Sequence, residues 1–231
     1  MEPKTPQPRR ALPALELDLI GDLTCPWTFL GKRGLDRALE SLYGTSDRLL
    51  RWHGLPLERP ELTSWQQRFA ARLPRGASVE SAQRELCRVG EELGISFAFE
   101  RLQRLPDTHE AHRLVRLAAR EGRQSETIDA LFRAFFEQGH DISDHTVLKE
   151  IAGDRLDAGT SAAFADPGEG RQDVDSEERR MRGLGIEVVP NLLINGRVLV
   201  PGPADVPTYV QALDQALFPE LKAPRNRRLL H

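Results

Sequence analysis

The chain contains little sulfur: its 231 residues include two cysteines, Cys25 and Cys87, and two methionines. Two cysteines cannot build a disulfide framework. Nor can they complete a four-ligand zinc site, because no histidines flank them at metal-ligand spacing. No resident metal is therefore expected. Long apolar runs are also missing, and nothing approaches the ~18 consecutive apolar residues that suggest a membrane-spanning helix. Residues 1–13 hold prolines at 3, 6, 8 and 13 and no apolar stretch of signal-peptide length, and the stretch 11–20 is broken by Glu16 and Asp18. Neither reads as an export signal, so a cytoplasmic location with reduced thiols is the expectation. Charge of one sign is lacking too. The 32 basic residues nearly cancel the 35 acidic ones, which gives no reason to expect nucleic acid or an anionic membrane as a partner. The basic cluster Arg225-Asn226-Arg227-Arg228 reads as a solvated tail.

What is present is an ordered series of elements. Residues 1–13 read as a flexible arm. Residues 15–20 alternate apolar and polar, as a strand does, and Gly21 and Asp22 end them. A helix is expected from Pro26 to Tyr43, with proline in its first position, apolar residues at helical spacing and Gly44 as its stop. A short strand follows at 48–55. From 61 to 184 the texture changes to four amphipathic stripes, carried by Val79 and Leu86, by Ala111 and Leu114, by Ile128 and Phe132, and by Val147 and Ile151. Residues 154–178 are polar and rich in glycine, and no regular structure is expected in their middle. After Pro190 the period returns to that of strands, around the hairpin signal Asn195-Gly196. A last helix uses Val206, Tyr209, Leu213 and Leu217. The frame is β-α-β, helical insertion, β-β-α.

Cys25-Pro26-Trp27-Thr28 lies where a strand ends and a helix begins. A cysteine at a helix N-cap has its sulfur beside unpaired N–H groups at the positive end of the helix dipole, an arrangement that favours a thiolate. Thiolate is the form that attacks disulfides and electrophilic carbon. Thr28, in the third helical position, faces back toward the cap, where its hydroxyl could donate to the sulfur. Lys32 and Arg33 read as a solvated face. An arbitrary lone cysteine is more often an inert, buried residue, and its position is what lifts Cys25 above that background.

The segment 22–27 followed by Gly31-Lys32-Arg33 resembles the active-site signature of the FrnE-like branch of the DsbA-family oxidoreductases. Residues 111–115, 130–136 and 141–144 resemble the helical insertion of that branch. Val189-Pro190, with Asn195-Gly196 and Gly202, resembles its cis-proline loop and hairpin. The resemblance runs from about residue 15 to 218. It implies an α/β, thioredoxin-like fold with a large α-helical insertion: a discontinuous domain at 14–60 and 185–220, and an insertion at 61–184. It further implies a cis Val189-Pro190 bond against Cys25, a substrate-binding surface of Pro26, Trp27, Val189 and Pro190, and His112 on a helix covering the site, where it could orient a substrate or stabilise a thiolate. On residue type alone His112 reads as a packing histidine.

The sequence departs from the family pattern where a second cysteine belongs, since Thr28 stands there. A dithiol enzyme resolves its own mixed disulfide with that second sulfur. This chain cannot do so within the motif, and Cys87 is distant. Val188 and Asn191-Leu192 also differ from the family's residues and put the usual substrate contact in doubt. The leading expectation is a thiol-disulfide oxidoreductase acting through Cys25 and Thr28, with no tightly bound cofactor and an outside thiol such as glutathione as co-substrate. Its partners would be small thiols or disulfides, and a homodimer stays open. The alternatives are a glutathione-dependent isomerase or transferase, like the related 2-hydroxychromene-2-carboxylate isomerases and kappa-class glutathione transferases, and a non-catalytic binding protein.

Overall fold

A computed structural model describes residues 15–44, 50–56 and 64–218. The N-terminal arm and the basic cluster at 225–228 lie outside the described residues. Among the described residues four strands form one sheet in the order β2-β1-β3-β4. Strand β1 (Leu17–Gly21) lies inside it, parallel to β2 (Leu50–Gly54) and antiparallel to β3 (Asn191–Ile194). Strand β4 (Val198–Pro201) completes the sheet against β3. Leu17, Leu19 and Ile20 are all buried, as befits a strand covered on both faces. The β3–β4 turn is built on Asn195 and Gly196, both at positive φ, the backbone that an Asn-Gly pair tolerates.

Helix α1 (Pro26–Tyr43) joins β1 to β2, starting on proline and ending at Gly44 with φ of 76°. Among the described residues seven α-helices then precede β3. They are α2 (Trp65–Arg72), α3 (Val79–Leu93), α4 (His109–Ala118), α5 (Gln124–Phe132), α6 (His145–Arg155), α7 (Ala158–Ala165) and α8 (Arg171–Gly183). Helix α9 (Val206–Leu217) follows the hairpin and packs on α1. Stacked and edge-on aromatic rings bind the insertion to α1: Phe29 stacks 4.8 Å from Phe132 and 6.0 Å from Phe136, and lies edge-on 5.8 Å from Phe97.

The expected absence of regular structure in the middle of 154–178 holds only for the turn at 166–170, because α7 fills 158–165 and α8 starts at Arg171. Helix α7 is short and begins with Asp157 accepting from the Thr160 N–H. Helix α8 buries only Val174 and Met181, two positions seven apart, so it shows almost no apolar stripe. The segment between them is held by a buried side chain. Arg113 on α4, 1% exposed, donates to the carbonyls of Phe164, Asp166 and Glu169.

Candidate active site

Cys25 is the N-cap residue of α1, although its sulfur accepts no hydrogen bond from the helix N–H groups. The loop ahead of it is fixed by α2. Asp22 accepts from the N–H and hydroxyl of Thr24, at 2.8 and 2.9 Å, and from Arg68. Arg68 also donates to the Thr24 hydroxyl at 2.7 Å, and Trp65 Nε1 donates to the Thr24 carbonyl at 3.0 Å. All four side chains are buried. A buried arginine–aspartate pair carries a large desolvation cost and is tolerated when its hydrogen bonds are satisfied. Here those bonds set the strand-to-helix corner, and the Cys25 N–H closes it by donating to the Asp22 carbonyl at 3.1 Å.

The Val189–Pro190 peptide bond is cis, and the Val189 carbonyl oxygen lies 4.0 Å from Cys25 Sγ. Antiparallel pairing of β1 with β3 makes this meeting unavoidable, because the end of one strand faces the start of the other. Cys25 is only 1% exposed. It sits in a small cluster with Ile20, Leu55, Met181 and Val189, edged by Trp27 and Ile186.

Arg72, the last residue of α2, reaches this sulfur. Its Nη1 is 3.8 Å from Cys25 Sγ, and its Nη2 is 3.4 Å from the Val189 carbonyl oxygen. The same guanidinium lies 5.7 Å from the Trp27 ring centre, within cation–π range. Trp27 is half-buried and stacks on Phe69 at 5.2 Å. Sequence reasoning missed Arg72. The signal was available, since Trp65, Phe69 and Arg72 fall at i, i+4 and i+7, one face of a helix.

The expected bond from Thr28 to the sulfur is not made. The Thr28 hydroxyl is buried and has no hydrogen-bond partner among the described residues. Its methyl lies toward Gly21 and Trp52, where a β-carbon added to Gly21 would come within 2.5 Å of it. Lys32 does not line a solvated face either. It is fully buried, with Nζ 2.7 Å from Asp36 and 2.8 Å from Asp129. His112 is 3% exposed, and its Nδ1 accepts from Trp52 Nε1 at 3.2 Å. Burial above all pushes its pKa down to about 4, so it is a neutral group packed against Trp52 and the backbone of Gly54. Cys87 is half-buried on α3, and its thiol is pushed up by burial and by Glu91 and Glu100. Both cysteines are free. No group of three or more potential metal ligands occurs among the described residues.

Beyond Trp27 an apolar cavity of about 680 Å³ opens, with Leu30, Leu73, Leu86, Val89 and Pro203 among its walls. This volume is in the range that holds a small ligand.

The model of the DSBA-like thioredoxin domain matches residues 16–214. A probable DsbA oxidoreductase from Streptomyces coelicolor superposes with a TM-score of 0.73 and 26% identity, over 87% of this chain and 89% of that one. A 2-hydroxychromene-2-carboxylate isomerase shares the fold with a TM-score of 0.62 and 14% identity, over 89% of this chain and 97% of the other. The cytosolic disulfide reductase DsbM from Pseudomonas aeruginosa, solved with glutathione, does so with a TM-score of 0.57 and 22% identity, over 89% and 98%. No curated protein sequence matches. A domain match over most of the chain, with a cysteine capping the first helix against a cis-proline loop, makes this chain a member of the DSBA-like thioredoxin-domain family.

Proposed function

We propose that the chain is a thiol-disulfide oxidoreductase working through Cys25 alone, with a small external thiol such as glutathione resolving the intermediate. The observation that carries this reading is the placement of Cys25 Sγ at a helix N-terminus, between the Val189 carbonyl and the Arg72 guanidinium. The Cys25 thiolate attacks one sulfur of a disulfide. A new S–S bond forms, the old one breaks, and the released thiolate takes a proton from solvent. A second small thiolate then attacks the mixed disulfide and frees Cys25. Thr28 cannot take that second role, and Cys87 lies on a different helix, so resolution falls to an outside thiol. DsbM was solved with glutathione on the same fold, which makes glutathione the natural first probe, and a reducing compartment would supply it.

Incubation with oxidised glutathione followed by intact-mass measurement tests the reading. Wild type and Cys87→Ser gain one glutathione, and Cys25→Ser gains none at that site. Absence of the adduct on Cys87→Ser, with Cys25 still open to alkylation, overturns it.

The apolar cavity beside Trp27 favours a second reading, glutathione-dependent isomerisation or transfer, because such chemistry needs room for an organic substrate next to the bound thiol. Glutathione held without a covalent bond, by a protein that forms no adduct, would put this reading first.

A further inference from the structure

Arg72 differs from Arg68, the buried arginine on the same helix. Arg68 is matched by Asp22. Arg72 forms no ion pair among the described residues, although its guanidinium touches both the sulfur and the Val189 carbonyl. Carbonyl and ring contacts leave its charge unneutralised. A guanidinium also presents five donors in a planar fork that suits carboxylates, and two contacts leave donors to spare. The Val189 carbonyl is in addition the acceptor that an extended strand would need beside the sulfur. An incoming peptide has to share that acceptor with Arg72 Nη2, whereas a small disulfide needs only the buried sulfur to be uncovered.

We infer that Arg72 sets the substrate class of Cys25, selecting small disulfides and electrophiles that carry negative charge near the reacting atom over neutral ones. The inference rests on the sulfur chemistry proposed above and goes beyond it. In the reaction with oxidised glutathione, a carboxylate of the incoming molecule pairs with the Arg72 fork while the thiolate attacks. The leaving glutathione thiolate departs with the electron pair of the broken S–S bond and is protonated by water.

The test uses the full chain in the Cys87→Ser background, comparing wild-type Arg72 with Arg72→Gln and Arg72→Lys. The first readout is the ratio of alkylation rates with iodoacetate and iodoacetamide, two reagents of similar size and different charge. The second is the ratio of mixed-disulfide formation rates with oxidised glutathione and with neutral bis(2-hydroxyethyl) disulfide. Arg72→Gln is expected to lower both ratios about tenfold, a Coulombic effect at effective interior permittivity, while Arg72→Lys keeps most of the preference. Raising salt on the wild-type protein alone should shrink both ratios, which keeps the inference testable if Arg72→Gln folds poorly. Ratios unchanged by Arg72→Gln, or insensitive to salt, overturn it. If the alkylation ratio behaves as expected and no mixed disulfide ever forms, the oxidoreductase reading falls and the assignment of Arg72 stands.

Discussion

Thr28 occupies the position of a resolving thiol, yet its hydroxyl is enclosed and makes no bond to the sulfur. An enclosed hydroxyl without a partner costs about 1–3 kcal/mol. Thr28→Val, of nearly equal volume, is therefore expected to raise stability by ~1 kcal/mol in denaturant unfolding, while glutathionylation of Cys25 changes less than about twofold. A large drop in that rate would show that the hydroxyl turns toward the sulfur during the reaction. Single positions such as this one are where sequence reading was weakest. Cys25 and Pro26 stood out by their place between strand and helix, and Val189-Pro190 by the family resemblance. Arg72 fell on a readable helix face, but its meeting with the sulfur was not readable, because its partners lie 47 and 117 residues away. Lys32 looked solvated because its counter-charge Asp129 comes from a different helix, while only Asp36 is local.

Among the elements, α8 is held to the sheet by charge more than by apolar area. His53 on β2 sits between Asp18 Oδ1 at 2.8 Å on β1 and Glu177 Oε1 at 2.6 Å on α8. Burial alone would push the imidazole down, but the bonds and charges of Glu177 and Asp18 together raise its pKa above 6.5. Glu177 is lowered below 4.5: burial pushes it up, but its bond to His53 and the charges of His53, Arg116 and Arg180 together outweigh that burial. A histidine raised in the folded state contributes stability that is full below 6.5 and is lost as pH rises through the raised value. A carboxylate lowered in the folded state contributes above 4.5 and loses it as pH falls through the lowered value. The clamp is strongest between those limits. His53→Gln is expected to cost about 1–2 kcal/mol near pH 6 and much less at pH 9, as read by unfolding curves at the two pH values. An equal loss at both would mean that packing rather than charge holds α8. Helices with wide stripes, α1, α3 and α9, were legible in the sequence. Helix α8 was not, because Val174 and Met181 are the two apolar side chains in its thirteen residues and carry no readable period.

For the molecule as a whole, the main apolar core runs unbroken from β1, β3 and α9 through α1 into α3, α4, α5 and α6. The buried Lys32 adds an ionic tie between α1 and α5 within it. Lys32→Ala leaves Asp36 and Asp129 without their shared cation, and a loss of about 3–5 kcal/mol is expected at neutral pH. Asp36 is already raised above 3.8, by burial first and by Asp129 after it, with Lys32 pulling the other way. Without Lys32 it rises further, so the deficit should ease as pH falls and the carboxyl takes up a proton. A deficit that stays constant between pH 7 and pH 4.5 would refute this account. The β-α-β and β-β-α frame was legible because strand and helix periods differ and the Asn-Gly turn is distinctive. The stacking of the insertion on α1 was not, since rings such as Phe29 and Phe132 announce burial but not their partner. The active site joins Cys25 to a loop 164 residues later in the chain. During synthesis, which proceeds from the N-terminus, the cysteine leaves the ribosome long before the Val189 loop and α8 exist to cover it. The nascent chain thus carries Cys25 uncovered for most of its production, until the last strands dock.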